Sequence, residues 1–142
     1  TNNMGAAMAP AAAKLMKAYF DETGRDPDYF DLIATGDLGY IGHRLTTELL
    51  EKEGYILGGN YTDCGIEIFD RDSQDTHCGG SGCACSALVF TAKFYRMLKR
   101  GEIKRMLFMP TGALLSTTTS QQGESIPSIA HGIVIESGCG KR

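Results

Sequence analysis

The segment 79–87, Gly-Gly-Ser-Gly-Cys-Ala-Cys-Ser-Ala, most constrains the fold, because it places three glycines directly before the helical pattern of 88–98. A glycine in a helix interior costs about 1 kcal/mol relative to alanine, so the segment predicts a tight loop that opens a helix. The first N–H groups of a helix are unpaired and lie at its positive end, where proteins hold anions and carbonyl oxygens. We therefore expect a binding site to include this loop. The alternative is that the glycines only let the helix pack closely on a sheet.

Length and composition indicate one globular domain over residues 1–142, with 42% hydrophobic and 22% charged residues. The net charge of −3 and the lack of a basic stripe argue against nucleic acid as a partner. No apolar run approaches the roughly 20 residues that span a bilayer. The first residue is Thr1, and we expect the chain to be a fragment. Five cysteines, an odd number, favour a reducing intracellular setting over a disulfide framework.

Hydrophobic spacing predicts alternating helices and strands. A first helix begins near Pro10, which suits a first helical turn, and ends at Gly24. A second helix follows the strand 31–37 and ends before Gly54, and a third spans 86–99. The residues expected to face inward are Ile41, Leu45, Leu49 and Leu50 in the second helix, and Leu88, Ala92, Tyr95 and Leu98 in the third.

The other predicted strands are 105–109 and 129–136, separated by a long Ser/Thr/Gln loop at 114–127. We expect 55–63 to be a glycine-rich loop, and 66–69 fits either a short strand or a turn of helix. Strands that alternate with helices predict an α/β fold, with helices layered on a mostly parallel mixed sheet.

Three turns follow predicted strands or open a helix, at Gly36-Asp37, at 79–86 and at Thr111-Gly112. Ligands of open α/β sheets bind beyond the carboxyl ends of the strands, so we expect these turns to converge on a site. For Asp37 the alternative is capping of the second helix, the commoner role at such a turn. The candidate ligand-binding residues are Asp37, Gly79, Gly80, Ser81, Cys83, Thr111 and Gly112.

Four potential metal ligands lie within nine residues, namely His77, Cys78, Cys83 and Cys85. The spacing C-x4-C-x-C is not that of a standard zinc knuckle and no second pair follows, so we expect no metal site. Cysteine in a Gly/Ala/Ser loop is more often a small packed residue. If one thiol is reactive, Cys85 is the best candidate, because a helix N-terminus lowers the pKa of a thiol.

Four segments carry a resemblance to a known family: NMGAAMAPAAA (3–13), GGSGCACSA (79–87), TGALLS (111–116) and IPSIAHG (126–132). With the strand and turn at 31–38, they resemble the C-terminal half of the thiolase and ketoacyl-synthase fold. More narrowly, they resemble the stage V sporulation protein AD family, thiolase-like proteins of spore-forming bacteria. The resemblance covers nearly the whole chain.

The resemblance implies a C-terminal half of a pseudo-duplicated protein about twice as long. The resemblance implies binding of dipicolinic acid (pyridine-2,6-dicarboxylic acid) and a role in loading it into the developing spore. We expect no cofactor. Positive charge for the ligand would come from an Arg or Lys of the missing half or from calcium bound with the ligand. The expected partners are the N-terminal half, other stage V sporulation A proteins in the membrane, and a second copy in a homodimer. The expected location is inside a spore-forming bacterium, peripheral at the spore inner membrane. Separated from its other half, the domain is expected to expose an apolar face and self-associate.

The chain departs from the condensing enzymes of this fold at two positions. Gly36 stands where those enzymes have a catalytic histidine, and Ser81 stands where they have an asparagine at the start of the glycine loop. Both enzymatic side chains donate hydrogen bonds to a thioester oxyanion. We therefore expect a binding protein on an enzyme fold, not an enzyme. The alternatives are an acyl-transfer enzyme of the same fold and an assembly module that docks membrane partners.

Overall fold

The computed structural model describes residues 3–80, 82–114 and 116–138. It contains six α-helices and six strands in these ranges, and both kinds of element are numbered along the chain. The helices are α1 Met4–Thr23, α2 Gly39–Lys52, α3 Cys64–Glu67, α4 Cys85–Val89, α5 Tyr95–Arg100 and α6 Thr117–Gln121, with a 3-10 turn at Pro27–Tyr29 and a π-helical turn at Phe90–Phe94. The strands are β1 Leu32–Thr35, β2 Tyr61–Asp63, β3 Arg105–Met109, β4 Thr111–Ala113, β5 Ser128–Ala130 and β6 Ile133–Glu136.

The main sheet has the strand order β2-β1-β3-β6. Its first three strands are parallel, and β6 runs antiparallel to β3 at the edge. The predicted α/β fold with a mostly parallel mixed sheet is therefore confirmed, and it fits a thiolase-like domain. The carboxyl ends of β1, β2 and β3 lie at one edge of this sheet, where such folds place their ligands.

The strands β3 to β6 form one continuous two-stranded ribbon. Phe108 faces Ile133 in the main sheet, and Thr111 faces Ala130 in the small sheet. The two pairs share one register, and the His131 N–H donates to the Pro110 carbonyl between them at 3.1 Å. Since proline has no N–H, one backbone hydrogen bond between the two strands is missing at Pro110, but their register does not change. The ribbon therefore extends past the sheet edge toward the candidate site.

Apolar side chains form a core on each face of the sheet. The helices α1 and α2 cover one face, where Met16, Phe20 and Leu50 pack on Ile33 and Leu107. The helices α3 to α5 cover the other face, where the buried set is Ala34, Cys64, Cys85, Val89, Phe94, Leu98, Ile103, Met106 and Phe108. No helix among the described residues is long and apolar enough to cross a membrane.

The first helix begins six residues earlier than predicted, and Pro10 lies inside it. Asn3 is the N-cap, and its side-chain oxygen accepts a 2.8 Å hydrogen bond from the Ala6 N–H. An asparagine cap is a strong start signal. The prediction followed the proline and missed this cap. The predicted end at Gly24 is confirmed, since Gly24 has φ +64° and its N–H donates to the Phe20 carbonyl.

The third helix predicted from the sequence, 86–99, corresponds to α4, the π-helical turn and α5. Its predicted inward face is wrong for most of the residues named. Leu88 is 55% exposed and Tyr95 is 50% exposed, whereas Val89 and Phe94 are buried. The π-helical turn at 90–94 adds one residue to a turn, so the buried positions follow a spacing of four, five and four. A regular 3.6-residue period cannot reproduce that spacing.

Three other local predictions need correction or completion. In α2 the buried face carries Gly42 and Thr46, while Ile41 is 36% exposed. The predicted loop at 55–63 contains the strand β2, which has only three residues. The ambiguous segment near Ile66 is helical, because α3 covers it.

Candidate functional site

The three predicted turns meet at the carboxyl edge of the sheet. The Thr111 hydroxyl donates to Asp37 Oδ1 at 2.8 Å, and the Asp37 N–H donates to Thr111 Oγ1 at 3.3 Å. The Gly82 N–H donates to Asp37 Oδ2 at 3.3 Å. Asp37 therefore connects the turn after β1 with the ribbon and with the glycine loop.

A cavity of about 230 Å³ lies beside this junction. One wall is the start of α1, a second is the turn that opens α2, and a third is the chain before the glycine loop. The residues that line it are Asn3, Met4, Gly5, Asp37, Leu38, Gly39, Cys78, Gly79 and Gly80. Asp37 carries the one formal charge among these lining residues, so the described walls supply no cation.

The structure brings only some of the predicted ligand-binding residues to this cavity. Asp37, Gly79 and Gly80 line this cavity, and Thr111 reaches it through its hydrogen bonds to Asp37. Cys83 is exposed and does not line it. Gly112 lines a different, apolar cavity of about 360 Å³ along the hairpin of β4 and β5. Ser81 lies outside the described residues.

The sequence reasoning missed Asp63, the fully buried carboxylate at the end of β2. It accepts hydrogen bonds from the Thr35 hydroxyl at 2.6 Å and from the N–H groups of Leu38 at 3.0 Å, Gly39 at 2.8 Å and Gly65 at 2.9 Å. Burial raises the pKa of this carboxyl above its ordinary value, because the donors offset only part of the desolvation. The signal available in the sequence was an aspartate two residues before Gly65, at the end of a very short strand.

Backbone segments pack too closely in the cavity walls for side chains to fit between them. A Cβ on Gly39 would lie 2.1 Å from the Cys78 carbonyl oxygen, and Gly39 has φ +60°. A Cβ on Gly79 would lie 2.4 Å from the Gly65 carbonyl oxygen, and Gly79 has φ +103°. The Tyr40 N–H donates to the same Cys78 carbonyl at 2.8 Å. These glycines are therefore required for close approach and for left-handed backbone.

Gly36 is enclosed by the first residue of β4. A Cβ there would lie 2.6 Å from the Thr111 nitrogen and 2.9 Å from its hydroxyl oxygen. Real side chains essentially never approach that closely. Position 36 therefore has no room for the larger side chain that the condensing enzymes carry, unless the ribbon moves.

The described cysteines do not include an activated thiol at the start of α4. Burial and the nearby charges of Asp37 and Asp63 raise the pKa of Cys85 to about 11. Burial likewise raises the pKa of Cys64. A reactive thiolate needs a lowered pKa and access to solvent, so the burial of Cys85 and its raised pKa both argue against a reactive thiolate there. In the described part of the chain, no three His, Cys, Asp or Glu side chains are grouped closely enough to hold a metal ion.

Comparison with known proteins places the chain in a family. The model of the family Stage V sporulation protein AD (SpoVAD) matches residues 1–136. Stage V sporulation protein AD of Bacillus subtilis (strain 168) is 46% identical over 134 residues. That match covers 94% of this chain and 39% of the relative, so the chain spans about two fifths of the relative's length. The chain belongs to the Stage V sporulation protein AD family, a family of sporulation proteins.

Proposed function

We propose that this chain forms part of a non-catalytic protein that binds dipicolinic acid and supports its uptake into the developing spore. The observation that carries the proposal is the 230 Å³ cavity at the carboxyl edge of the sheet, walled by Asp37, Gly79 and Gly80. A small planar dicarboxylate needs polar donors and a flat slot between closely packed walls. The resemblance in sequence supplies the identity of the ligand.

Gly36 supports a binding role over an acyl-transfer role. A condensing enzyme of this fold would need a donor side chain at position 36. Because a Cβ there would lie 2.6 Å from the Thr111 nitrogen, the position favours glycine. The acyl-transfer alternative predicts turnover of a thioester by the full natural chain and covalent labelling of one of its cysteines.

The charge of the cavity indicates how the ligand is neutralised. Dipicolinate is a dianion at neutral pH, and the charged group that lines the described walls is the Asp37 carboxylate. A dianion inside this cavity and the Asp37 carboxylate on its wall repel each other, so the ligand requires a cation. Calcium bound with the ligand, or an Arg or Lys from the N-terminal half, would provide it. Calcium is therefore expected to raise the affinity.

The ribbon, together with α4 and α5, exposes an apolar face that the N-terminal half would cover. In the shared register, Ile133 and Ile129 lie on the same side of the ribbon as Phe108, which α4 and α5 cover. Ile133 is 55% exposed and Ile129 is 54% exposed. Leu88 and Tyr95 add exposed apolar surface from the helix side. A relative in which about three fifths of the chain lies outside the match has enough further chain to cover this face.

The proposal also includes a location at the inner spore membrane and further protein partners. The family name supports a place in sporulation, and the resemblance extends this to a peripheral position at the inner spore membrane with other stage V sporulation A proteins. A homodimer is part of the expected assembly. The rival candidate is an assembly module without small-molecule affinity, and the exposed apolar face is the observation that favours it.

Calorimetric titration tests the proposal directly. Dipicolinic acid is titrated, with and without calcium, into this chain and into the full natural chain. Saturable binding that strengthens with calcium is expected. In the presence of calcium, which offsets the repulsion between Asp37 and the ligand, Asp37→Ala should weaken binding at least fivefold, because it removes the hydrogen bonds from Thr111 and Gly82 that hold this wall. Gly59→Ala is a matched control, because a Cβ at Gly59 meets no atom within 4 Å. Partner association without any heat of dipicolinate binding to either chain would favour the assembly module.

A further inference from the structure

We propose that Asp63 is the positioning residue of the candidate site, and that its carboxylate sets ligand affinity without touching the ligand. It does so by fixing the backbone of two of the three cavity walls: the turn that opens α2, called the first wall below, and the chain before the glycine loop, called the second. The inference rests on the proposed function, because affinity for dipicolinic acid is its principal readout. Asp63 itself is fully buried and does not line the cavity.

The first wall is held directly. The Leu38 N–H donates to Asp63 Oδ2 at 3.0 Å, and the Gly39 N–H donates to Oδ1 at 2.8 Å. Leu38 and Gly39 both line the cavity and open α2. No side-chain cap of α2 comes from Leu38, so the carboxylate of Asp63 does the work of an N-cap from a neighbouring strand.

The second wall is held through Gly65. Its N–H donates to Asp63 Oδ1 at 2.9 Å, and its carbonyl accepts from the Gly80 N–H at 2.6 Å. Gly79 and Gly80 line the cavity and form this second wall. Because a Cβ on Gly65 would lie 2.2 Å from the Gly80 carbonyl oxygen, the two segments are in direct backbone contact. A displacement at Gly65 is therefore passed on to the second wall.

Both carboxylate oxygens are needed for this arrangement. Oδ1 accepts from Gly39 and Gly65, while Oδ2 accepts from Leu38 and from the Thr35 hydroxyl at 2.6 Å. An asparagine has one oxygen, so its NH₂ group would face at least one backbone N–H. A buried donor left without an acceptor is costly, and the backbone would shift to reach water or another acceptor. The substitution keeps the shape of Asp63 and disturbs the walls.

The test compares Asp63→Asn with Phe20→Leu in the full natural chain. Phe20 is buried in the core that contains Ile33, on the face of the sheet that α1 and α2 cover, and it does not line the cavity. Its variant therefore lowers stability without removing a hydrogen bond of either wall. Dipicolinic acid, with calcium, is titrated into each variant at a temperature where circular dichroism shows both to be folded. We expect Asp63→Asn to bind at least tenfold more weakly than the parent and Phe20→Leu to bind within twofold of it. Equal affinity in Asp63→Asn, or an equal loss in Phe20→Leu, would overturn the inference.

A milder variant covers the case in which Asp63→Asn does not fold. Thr35→Val removes one donor from Asp63 Oδ2, and Thr35→Ser keeps it. Thr35→Val is expected to bind two- to fivefold more weakly, with Thr35→Ser close to the parent. Equal binding by Thr35→Val would contradict the positioning role.

Amide hydrogen exchange separates this inference from the proposed function. The Gly80 N–H is bonded to Gly65 and not to Asp63, so faster exchange at Gly80 in Asp63→Asn or Thr35→Val reports the coupling of the walls without any ligand. If the parent does not bind dipicolinic acid, the proposed function is wrong. The exchange rate of the Gly80 amide still tests the positioning role of Asp63. Unchanged exchange at Gly80 in a folded variant would refute it.

Discussion

Thr111 Oγ1 lies 2.8 Å from Asp37 Oδ1, across 74 positions of the sequence. The same hydroxyl accepts the Asp37 N–H at 3.3 Å, so the two residues bond reciprocally. One contact thereby attaches the ribbon at β4 to the turn between β1 and α2. The turn that contributes Asp37 to the cavity depends on a residue that enters from a different strand.

Thr111→Val should lower the free energy of unfolding by about 1 kcal/mol, because it removes a charge-assisted hydrogen bond at a half-buried pair. Valine suits a strand, so loss of strand propensity is not the cause. Thr111→Ser keeps the hydroxyl and should stay within about 0.5 kcal/mol of the parent. Urea unfolding measures all three chains. Equal stabilities of the valine and serine variants would show that the bond contributes nothing.

Gly36→Ala should destabilise the fold by about 1–3 kcal/mol, the usual cost of an added group in a closely packed region. The Cβ would approach the Thr111 nitrogen to 2.6 Å, and a backbone atom cannot move as a flexible side chain does. Gly59→Ala is the control, because its Cβ meets nothing within 4 Å. Thermal unfolding of both variants gives the comparison. A Gly36→Ala chain as stable as Gly59→Ala would mean that the ribbon can yield.

The convergence of the three turns was predictable, since parallel strands in an α/β fold bring their carboxyl ends to one edge. The strand at 105–109 was predicted with its observed bounds, because it is apolar, short and bounded by turn residues. Asp63 could not be found this way. Its strand has three residues inside a glycine-rich segment, and pairing with β1 rather than local propensity makes it a strand.

The face of the third helix illustrates a second limit of sequence reasoning. Leu88 and Tyr95 fit a regular helical period, but the π-helical turn at 90–94 rotates Phe94 inward in place of Tyr95. Tertiary packing selects such an insertion, and no local residue signals it. The same exposed residues are apolar, which explains why the period looked like a buried face.

Leu88→Ser should leave the free energy of unfolding within about 0.5 kcal/mol of the parent and reduce self-association of this chain. Leu88 is 55% exposed, so the change removes apolar surface from solvent contact and leaves the core intact. Val89→Ala, one residue away and buried, should instead cost about 1–3 kcal/mol. Urea unfolding measures stability and sedimentation velocity measures association. If Leu88→Ser were as destabilised as Val89→Ala, Leu88 would belong to the core, as the helical period predicts.

Asp31 should make the fold more stable above about pH 4 than below it. Its carboxylate accepts the Arg105 N–H at 2.8 Å and the Lys104 N–H at 2.7 Å, which lowers the pKa of Asp31 below the ordinary 3.8. A carboxyl with a lowered folded pKa stabilises the fold above its unfolded pKa, and that contribution is lost as the pH falls through the folded value. Urea midpoints between pH 3 and pH 7 measure the effect.

The matched variants for this pH dependence are Asp31→Asn and Glu22→Gln. Each removes one negative charge from an exposed position, but only Asp31 accepts the two N–H groups at the start of β3. Asp31→Asn should show a shallower loss of stability toward acid than the parent, whereas Glu22→Gln should follow the parent. Parallel pH curves for all three chains would remove Asp31 as a source of acid sensitivity.

Among the four cysteines that the structure describes, alkylation of the folded chain should label Cys83 first, Cys78 more slowly, and Cys64 and Cys85 only after unfolding. Cys83 is exposed and Cys78 is half-buried, while burial raises the pKa of Cys85 to about 11 and also raises that of Cys64. Iodoacetamide at pH 8 with peptide mapping by mass spectrometry gives the order, and a denatured sample gives the fully labelled reference. Rapid labelling of Cys85 in the folded chain would show that its thiol is reactive. Its protection would show that the thiol at the start of α4 is not available for covalent chemistry in the folded chain.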